Sequence, residues 1–258
     1  MSNYFETGHA KNAANLLKLN QLIATFGAAY NPSNVAIKLT GLGTLHTNAN
    51  AKLSAVNSSF TTWKNATNTR ELAFDPLTKL ATQIFGSLQS LGVAQQTIDD
   101  FESLVKKFRS KGSKLTKADS GIADTTPEEK AALPASEEIE VKTISTSQQS
   151  FDNKLQHFEK MILLLQSVPS YNPNEVAYKV ATLQTQLAAL VTANNAANTS
   201  YAGVKLTRID RNTFFYAKNT GLLDIVKQAK SYIKSIYGAT SPQYYAARDI
   251  KFARVTSK

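Results

Sequence analysis

The stretch Tyr30-Asn31-Pro32-Ser33-Asn34-Val35 returns 141 residues later as Tyr171-Asn172-Pro173-Asn174-Glu175-Val176. Working outward at that offset, Leu22 meets Leu163, Leu42 meets Leu183, Phe60 meets Tyr201, Arg70 meets Arg211 and Phe74 meets Phe215. After a small insertion the offset becomes 145, pairing Leu77 with Leu222, Leu80 with Ile225 and Leu88 with Ile233. The copies also end alike. Lys107-Phe108 with Ser113-Lys114 matches Lys251-Phe252 with Ser257-Lys258 at an offset of 144. The chain reads as two tandem copies of one unit, matching over residues 10–114 and 150–258.

Each copy has the helical period. Leu16, Leu19, Ile23 and Phe26 predict a helix over 9–29, and Phe151, Leu155, Phe158, Ile162 and Leu165 its counterpart over 149–168. Asn31 and Asn172 then read as N-caps, with Pro32 and Pro173 at the first helical position, where no N–H is needed. Beyond the cap, Val35, Leu39, Leu42, His46, Ala49, Leu53, Val56, Phe60, Trp63, Thr67, Arg70 and Phe74 alternate steps of four and three. The second copy repeats the seam from Val176 to Phe215. This predicts one helix of roughly 60 Å per copy. A kink at Gly41 and Gly43, or a break near Thr47–Asn50, is the alternative for the first. Two shorter helices close each unit, over 76–91 and 94–110, then 221–237 and 242–254, with Asp75-Pro76 and Ser241-Pro242 as start signals.

The predicted fold is therefore all-α: two tandem antiparallel helical bundles of about four helices each, one long heptad helix per copy. Residues 1–114 form repeat 1, 115–148 an acidic flexible linker with a helical turn near 127–133, and 149–258 repeat 2.

The net charge of +10 is unevenly laid out. Residues 1–114 carry 12 Lys and Arg against 6 Asp and Glu, residues 149–258 carry 14 against 6, and residues 115–148 carry 3 against 7. Two basic modules flank an acidic connector that could fold back and screen them. Basic surfaces favour polyanions, because each cation can neutralise a phosphate; the competing explanation is lysine that merely solvates helix faces. The candidate polyanion contacts end each copy: Lys106, Lys107, Arg109, Lys111 and Lys114, then Lys251, Arg254 and Lys258. Cations at helix C-termini also complement the helix dipole. Lys227, Lys230 and Lys234 make a further stripe at helical spacing, which a solvated face also explains.

Arg70 and Arg211 fall on the seam in both copies, with Arg208 one step before Arg211. A charge there must pair, reach solvent, or meet a partner, since an unpaired buried charge is costly. An internal salt bridge, to Asp75 or a facing carboxylate, competes with a partner-binding end.

Catalytic and metal signals are thin. His9, His46 and His157 have no partner at ligand spacing, and cysteine is absent, which excludes thiolate sites and disulfides. Asp99, Asp100 and Glu102 suit the first turns of a helix. Gly41-Leu42-Gly43 lacks the strand that a phosphate-cradling loop needs. Phe60 and Trp63 read as core rather than as a base-stacking surface. No catalytic residue and no cofactor is expected. No apolar run suits a membrane span, and the N-terminus does not read as a secretory signal, so a cytoplasmic protein is expected.

Ser147-Gln148-Gln149-Ser150-Phe151-Asp152-Asn153, Tyr171-Asn172-Pro173-Asn174-Glu175, Val180-Ala181-Thr182-Leu183 and Gly238-Ala239-Thr240-Ser241-Pro242-Gln243-Tyr244 carry a resemblance. They resemble an uncharacterised family of two-repeat helical proteins of Bacteroidota. The first half matches more loosely, through Tyr30-Asn31-Pro32 and the basic end at Lys106–Lys114. The resemblance implies a bacterial protein and no particular activity. The residues together predict a non-enzymatic helical protein contacting RNA or the ribosome before DNA; the alternative is a structural protein self-associating through its long helices.

Overall fold

The computed structural model describes residues 7–109 and 150–255; the predicted linker at 115–148 lies outside them. The described residues are helical, with no strand. In chain order the helices are α1 (Thr7–Ala24), α2 (Leu39–Phe74), α3 (Leu77–Gln89), α4 (Gln95–Arg109), α5 (Phe151–Gln166), α6 (Val180–Tyr216), α7 (Leu222–Tyr237) and α8 (Pro242–Asp249).

Both long helices are unbroken, α2 over 36 residues and α6 over 37. Gly41 is not a kink. It lies where any Cβ would collide with the carbonyl oxygens of Val35 and Ala36. Every seventh residue of the seam is buried from Leu183 through Leu190, Ala197 and Val204 to Arg211 in α6, and over Leu42, Ala49 and Val56 in α2, where the next two steps, Trp63 and Arg70, are only partly buried. Each buried run is the heptad signal made physical, with one position per heptad enclosed.

The start of each long helix differs from expectation. Asn31 and Asn172 do not cap it. The chain instead makes a loop that the preceding tyrosine closes, the Tyr30 hydroxyl donating to the Ile37 carbonyl at 2.8 Å and the Tyr171 hydroxyl to the Tyr178 carbonyl at 3.0 Å. One 3-10 turn, Val35–Ile37 or Val176–Tyr178, fills the loop, and Asn34 caps the first of these through the Ala36 N–H. Lys38 and Lys179 leave that turn extended, so the α-helix begins only after them. Of the two later start signals, Ser241-Pro242 acts as read, Ser241 accepting from the Tyr244 N–H with Pro242 in the first turn. Asp75-Pro76 does not: Pro76 itself stands at the cap and no side chain caps α3. Ser150, not read from sequence as a cap, starts α5 by accepting from the Asn153 N–H.

The compact units do not follow the sequence repeats. Unit 1 comprises residues 1–67 and 197–258, and unit 2 residues 68–196. In unit 1, Leu16, Leu19 and Ile23 of α1 form a core with Phe215 of α6 and Leu222, Val226, Ala229 and Ile233 of α7. In unit 2, Phe74, Leu77, Ile84 and Leu88 join Phe101 and Val105 of α4, Phe158, Met161 and Leu165 of α5, and Leu183 and Leu190 of α6. Each unit thus takes its first helices from one copy and its last from the other. The expectation that residues 1–114 and 149–258 each pack a bundle of their own does not describe these cores.

Candidate functional site

The charge follows the units, not the copies. Unit 1 carries 16 Lys and Arg against 4 Asp and Glu, a net +12, while unit 2 carries 13 against 15, a net −2. The whole positive excess of the chain therefore belongs to unit 1.

This separates the two predicted basic ends. Lys106 and Lys107 lie in unit 2, near the end of α4, where exposed Lys106 pairs with Glu102 one turn earlier at 3.0 Å. Arg109 closes that helix, its side chain outside the described residues, as are Lys111, Lys114 and Lys258. Lys251 and Arg254 belong to unit 1, on a segment that leaves α8 at Asp249, five residues short of the predicted helix end.

That segment, residues 250–255, is pinned to α1 by side-chain amides. Asn12 donates to the Ala253 carbonyl at 2.8 Å and accepts from the Ala253 N–H at 3.2 Å, satisfying both backbone groups of one residue. Asn15, one turn on, donates to the Lys251 carbonyl at 2.7 Å. The Val255 N–H donates to the Tyr216 hydroxyl, and the Lys230 ammonium to the Ile250 carbonyl. Burial, with Lys251 nearby, holds the Lys230 ammonium below its ordinary pKa. Backbone groups without a regular ladder need such partners when water is excluded. The strap leaves the Lys251 side chain exposed and sets the Arg254 guanidinium 5.2 Å from the Tyr216 ring centre.

The seam arginines fall in different units, Arg70 in unit 2, Arg208 and Arg211 in unit 1. The Arg70 guanidinium sits 4.0 Å over the Phe151 ring and donates to the Asn194 side chain at 3.2 Å. Asn194 donates in turn to Asp152 at 2.7 Å. Arg211 is buried and donates twice to the side chain of its neighbour Asn212, at 3.1 and 2.8 Å. Asp75, the carboxylate proposed from sequence for Arg70, gives way to an amide that relays to Asp152. The histidines are taken up by packing: His9 against Phe215, His157 against Phe108, and His46 beside Asn50.

Sequence reasoning misjudged the middle of the long helices. Within unit 1, α2 and α6 run antiparallel, fixed by Lys52 to Asp210 at 2.7 Å and by the hydroxyls of Ser59 and Thr207 at 2.8 Å. Beside these, Trp63 stands between two other rings, 5.5 Å from Phe60 and 5.5 Å from Tyr201. This is not core. Phe60 is 40% exposed and Tyr201 46%. Lys64 lies 5.9 Å from the Trp63 ring centre and Lys205 4.5 Å from that of Tyr201. Phe60 and Lys64 occupy the same repeat positions as Tyr201 and Lys205, so an aromatic followed four residues later by lysine stands in both copies. That duplicated pair was the signal available in the sequence.

Comparison of the chain with protein-family models, curated proteins and solved structures finds no match. Its chemistry is therefore read from its own residues. No described helix is long and apolar enough to cross a membrane, and no group of three or more His, Asp or Glu among the described residues is placed to hold a metal.

Proposed function

We propose that the chain is a non-enzymatic, cytoplasmic helical protein that binds a polyanion, RNA or the ribosome ahead of DNA, through unit 1. The observation that carries this reading is the segregation of charge, +12 against −2. A field of that size concentrates anions at one unit, and releasing their counterions drives binding. Lys251, Arg254 and Lys227 of α7, which pairs with Asp224 at 3.2 Å, are among its exposed cations, and they stand ahead of Lys106 and Lys107 because those belong to unit 2.

The test is anisotropy of a labelled RNA titrated with the protein at several salt concentrations. Affinity falls linearly with salt on logarithmic axes, and reversal of Lys227, Lys251 and Arg254 to Glu weakens binding at least tenfold, while reversal of Lys106 and Lys107 leaves it nearly unchanged. Salt-independent binding, or none, overturns the reading.

A second reading, self-assembly through the long helices, has one observation in its favour. Leu206 and Ile209 lie three residues apart on α6 and are 65% and 61% exposed. Concentration-dependent sedimentation that charge reversal leaves intact and Leu206→Asp abolishes would favour it.

A further inference from the structure

We infer that Phe60, Trp63 and Tyr201 form a base-stacking platform for single-stranded nucleic acid, with Lys64 and Lys205 as its phosphate contacts. The inference rests on the polyanion reading above and assigns it a place and a ligand class.

The seam leaves two aromatic rings uncovered. Val56 and Val204 are buried on either side of this stretch, yet Phe60 and Tyr201 present rings to solvent at the corresponding step of both copies. Apolar contact alone would be met by aliphatic side chains, as at Leu53 one heptad earlier. Aromatic faces differ because they stack on any base, whatever its sequence. The three rings do not share a plane. Phe60 and Trp63 are inclined at 63°, Trp63 and Tyr201 at 42°, so exposed Phe60 and Tyr201, on either side of the partly buried Trp63, suit splayed bases rather than the continuous stack of a duplex.

The lysines complete the pattern. Each ammonium lies within 6 Å of a ring, where the cation is held by the ring's negative face. Such contacts are weak at exposed sites, so an arriving base can replace the cation on the ring while the flexible stem carries the ammonium to the adjoining phosphate. Charge complementarity comes from the rest of unit 1, which holds the net +12. A polyanion without bases gains the charge term and none of the stacking.

Trp63 is the sole tryptophan, so its emission reports this site alone. The experiment titrates the full chain with single-stranded oligouridylate, with duplex RNA of equal length and with heparin, following Trp63 fluorescence and, separately, binding by anisotropy. Oligouridylate quenches saturably, and heparin binds without quenching. Phe60→Ala and Tyr201→Ala each weaken oligouridylate about tenfold at unchanged heparin affinity, and Tyr201→Phe restores binding, because the ring and not the hydroxyl acts. Unchanged circular dichroism and melting confirm that the alanine variants fold. Equal quenching by heparin or duplex, or alanine variants that bind oligouridylate like the parent, overturns the platform while leaving the polyanion reading standing. Failure of both oligouridylate and heparin to bind overturns both.

Discussion

Arg70 and Asn194, 124 residues apart in the chain, are joined by a hydrogen bond of 3.2 Å in unit 2, with the guanidinium lying against Phe151. Asn194 is enclosed and uses both ends of its amide, accepting from Arg70 and donating to Asp152. It occupies the position held by Leu53 in the other copy, so this relay exists in only one of the two units.

Removing the amide leaves a cation and a carboxylate without their shared partner. Asn194→Ala should cost about 1 kcal/mol, because the half-buried Arg70 guanidinium loses a hydrogen bond and keeps part of its desolvation, while exposed Asp152 turns to water. Asn194→Leu, although it imitates Leu53, should be no better. Urea denaturation checks this. A loss below the error of the midpoint would show that water replaces the amide.

The loop-closing tyrosines make stability sensitive to alkali. Burial pushes the Tyr30 hydroxyl up to about 12, with Tyr232 adding to it, and burial does the same at Tyr171, with Glu175 adding. A hydroxyl whose pKa is raised in the fold gives its full contribution below the unfolded value near 10. That contribution is lost as pH climbs from about 10 to about 12, where the unfolded chain has released the proton and the folded one has not. Tyr30→Phe strands the Ile37 carbonyl and should cost about 1–3 kcal/mol at pH 7, while flattening the alkaline decline. Melting temperatures from pH 7 to 12, for both proteins, provide the comparison.

Two glycines of α2 should respond in opposite senses. Gly41→Ala drives a methyl into the carbonyls of Val35 and Ala36, and nothing flexible can give way there, so a loss above about 1 kcal/mol is expected. At Gly43 an added Cβ meets nothing within 4 Å, and Gly43→Ala should stabilise by about 0.5–1 kcal/mol through helix propensity. Thermal melts of the pair decide it, and a shared sign would contradict the account.

The strap offers a proteolytic readout. Asn12→Ala deprives the Ala253 carbonyl and N–H of their partners. Trypsin should then cut after Lys251 and Arg254 several times faster than in the parent, with cleavage elsewhere unchanged. A general rise in cutting would instead mark global destabilisation.

How much of this was legible in sequence depends on what periodicity encodes. A heptad states that a face is covered. It does not state by what. Both copies carry the same seam, so packing within a copy and packing across copies write the same pattern, and the exchange between units could not be read from Leu42 or Leu183. For the same reason Phe60 and Trp63 looked like core: they sit in phase with buried residues, yet Phe60 is exposed and Trp63 only partly buried. Asn31-Pro32 satisfied the statistics of a helix start, but Tyr30 closes a different structure with a hydroxyl that no local rule anticipates. The repeated arginines were visible as an anomaly. Their partners were not, because Asn194 reads as an ordinary polar residue until Asp152 stands beside it.

The division of the chain also sets an order of events during synthesis. Everything in unit 2 lies between residues 68 and 196, so it can close while later residues are still being added. Unit 1 cannot, since Leu16, Leu19 and Ile23 must wait for Phe215 and Ile233. Until then the amphipathic α1 and the start of α2 are left with an apolar face open to water, on a nascent chain emerging at about 5–20 residues per second. The basic unit is thus the last to exist. Its first helices pass through a window of seconds in which a chaperone, a second nascent chain or early aggregation can reach them first.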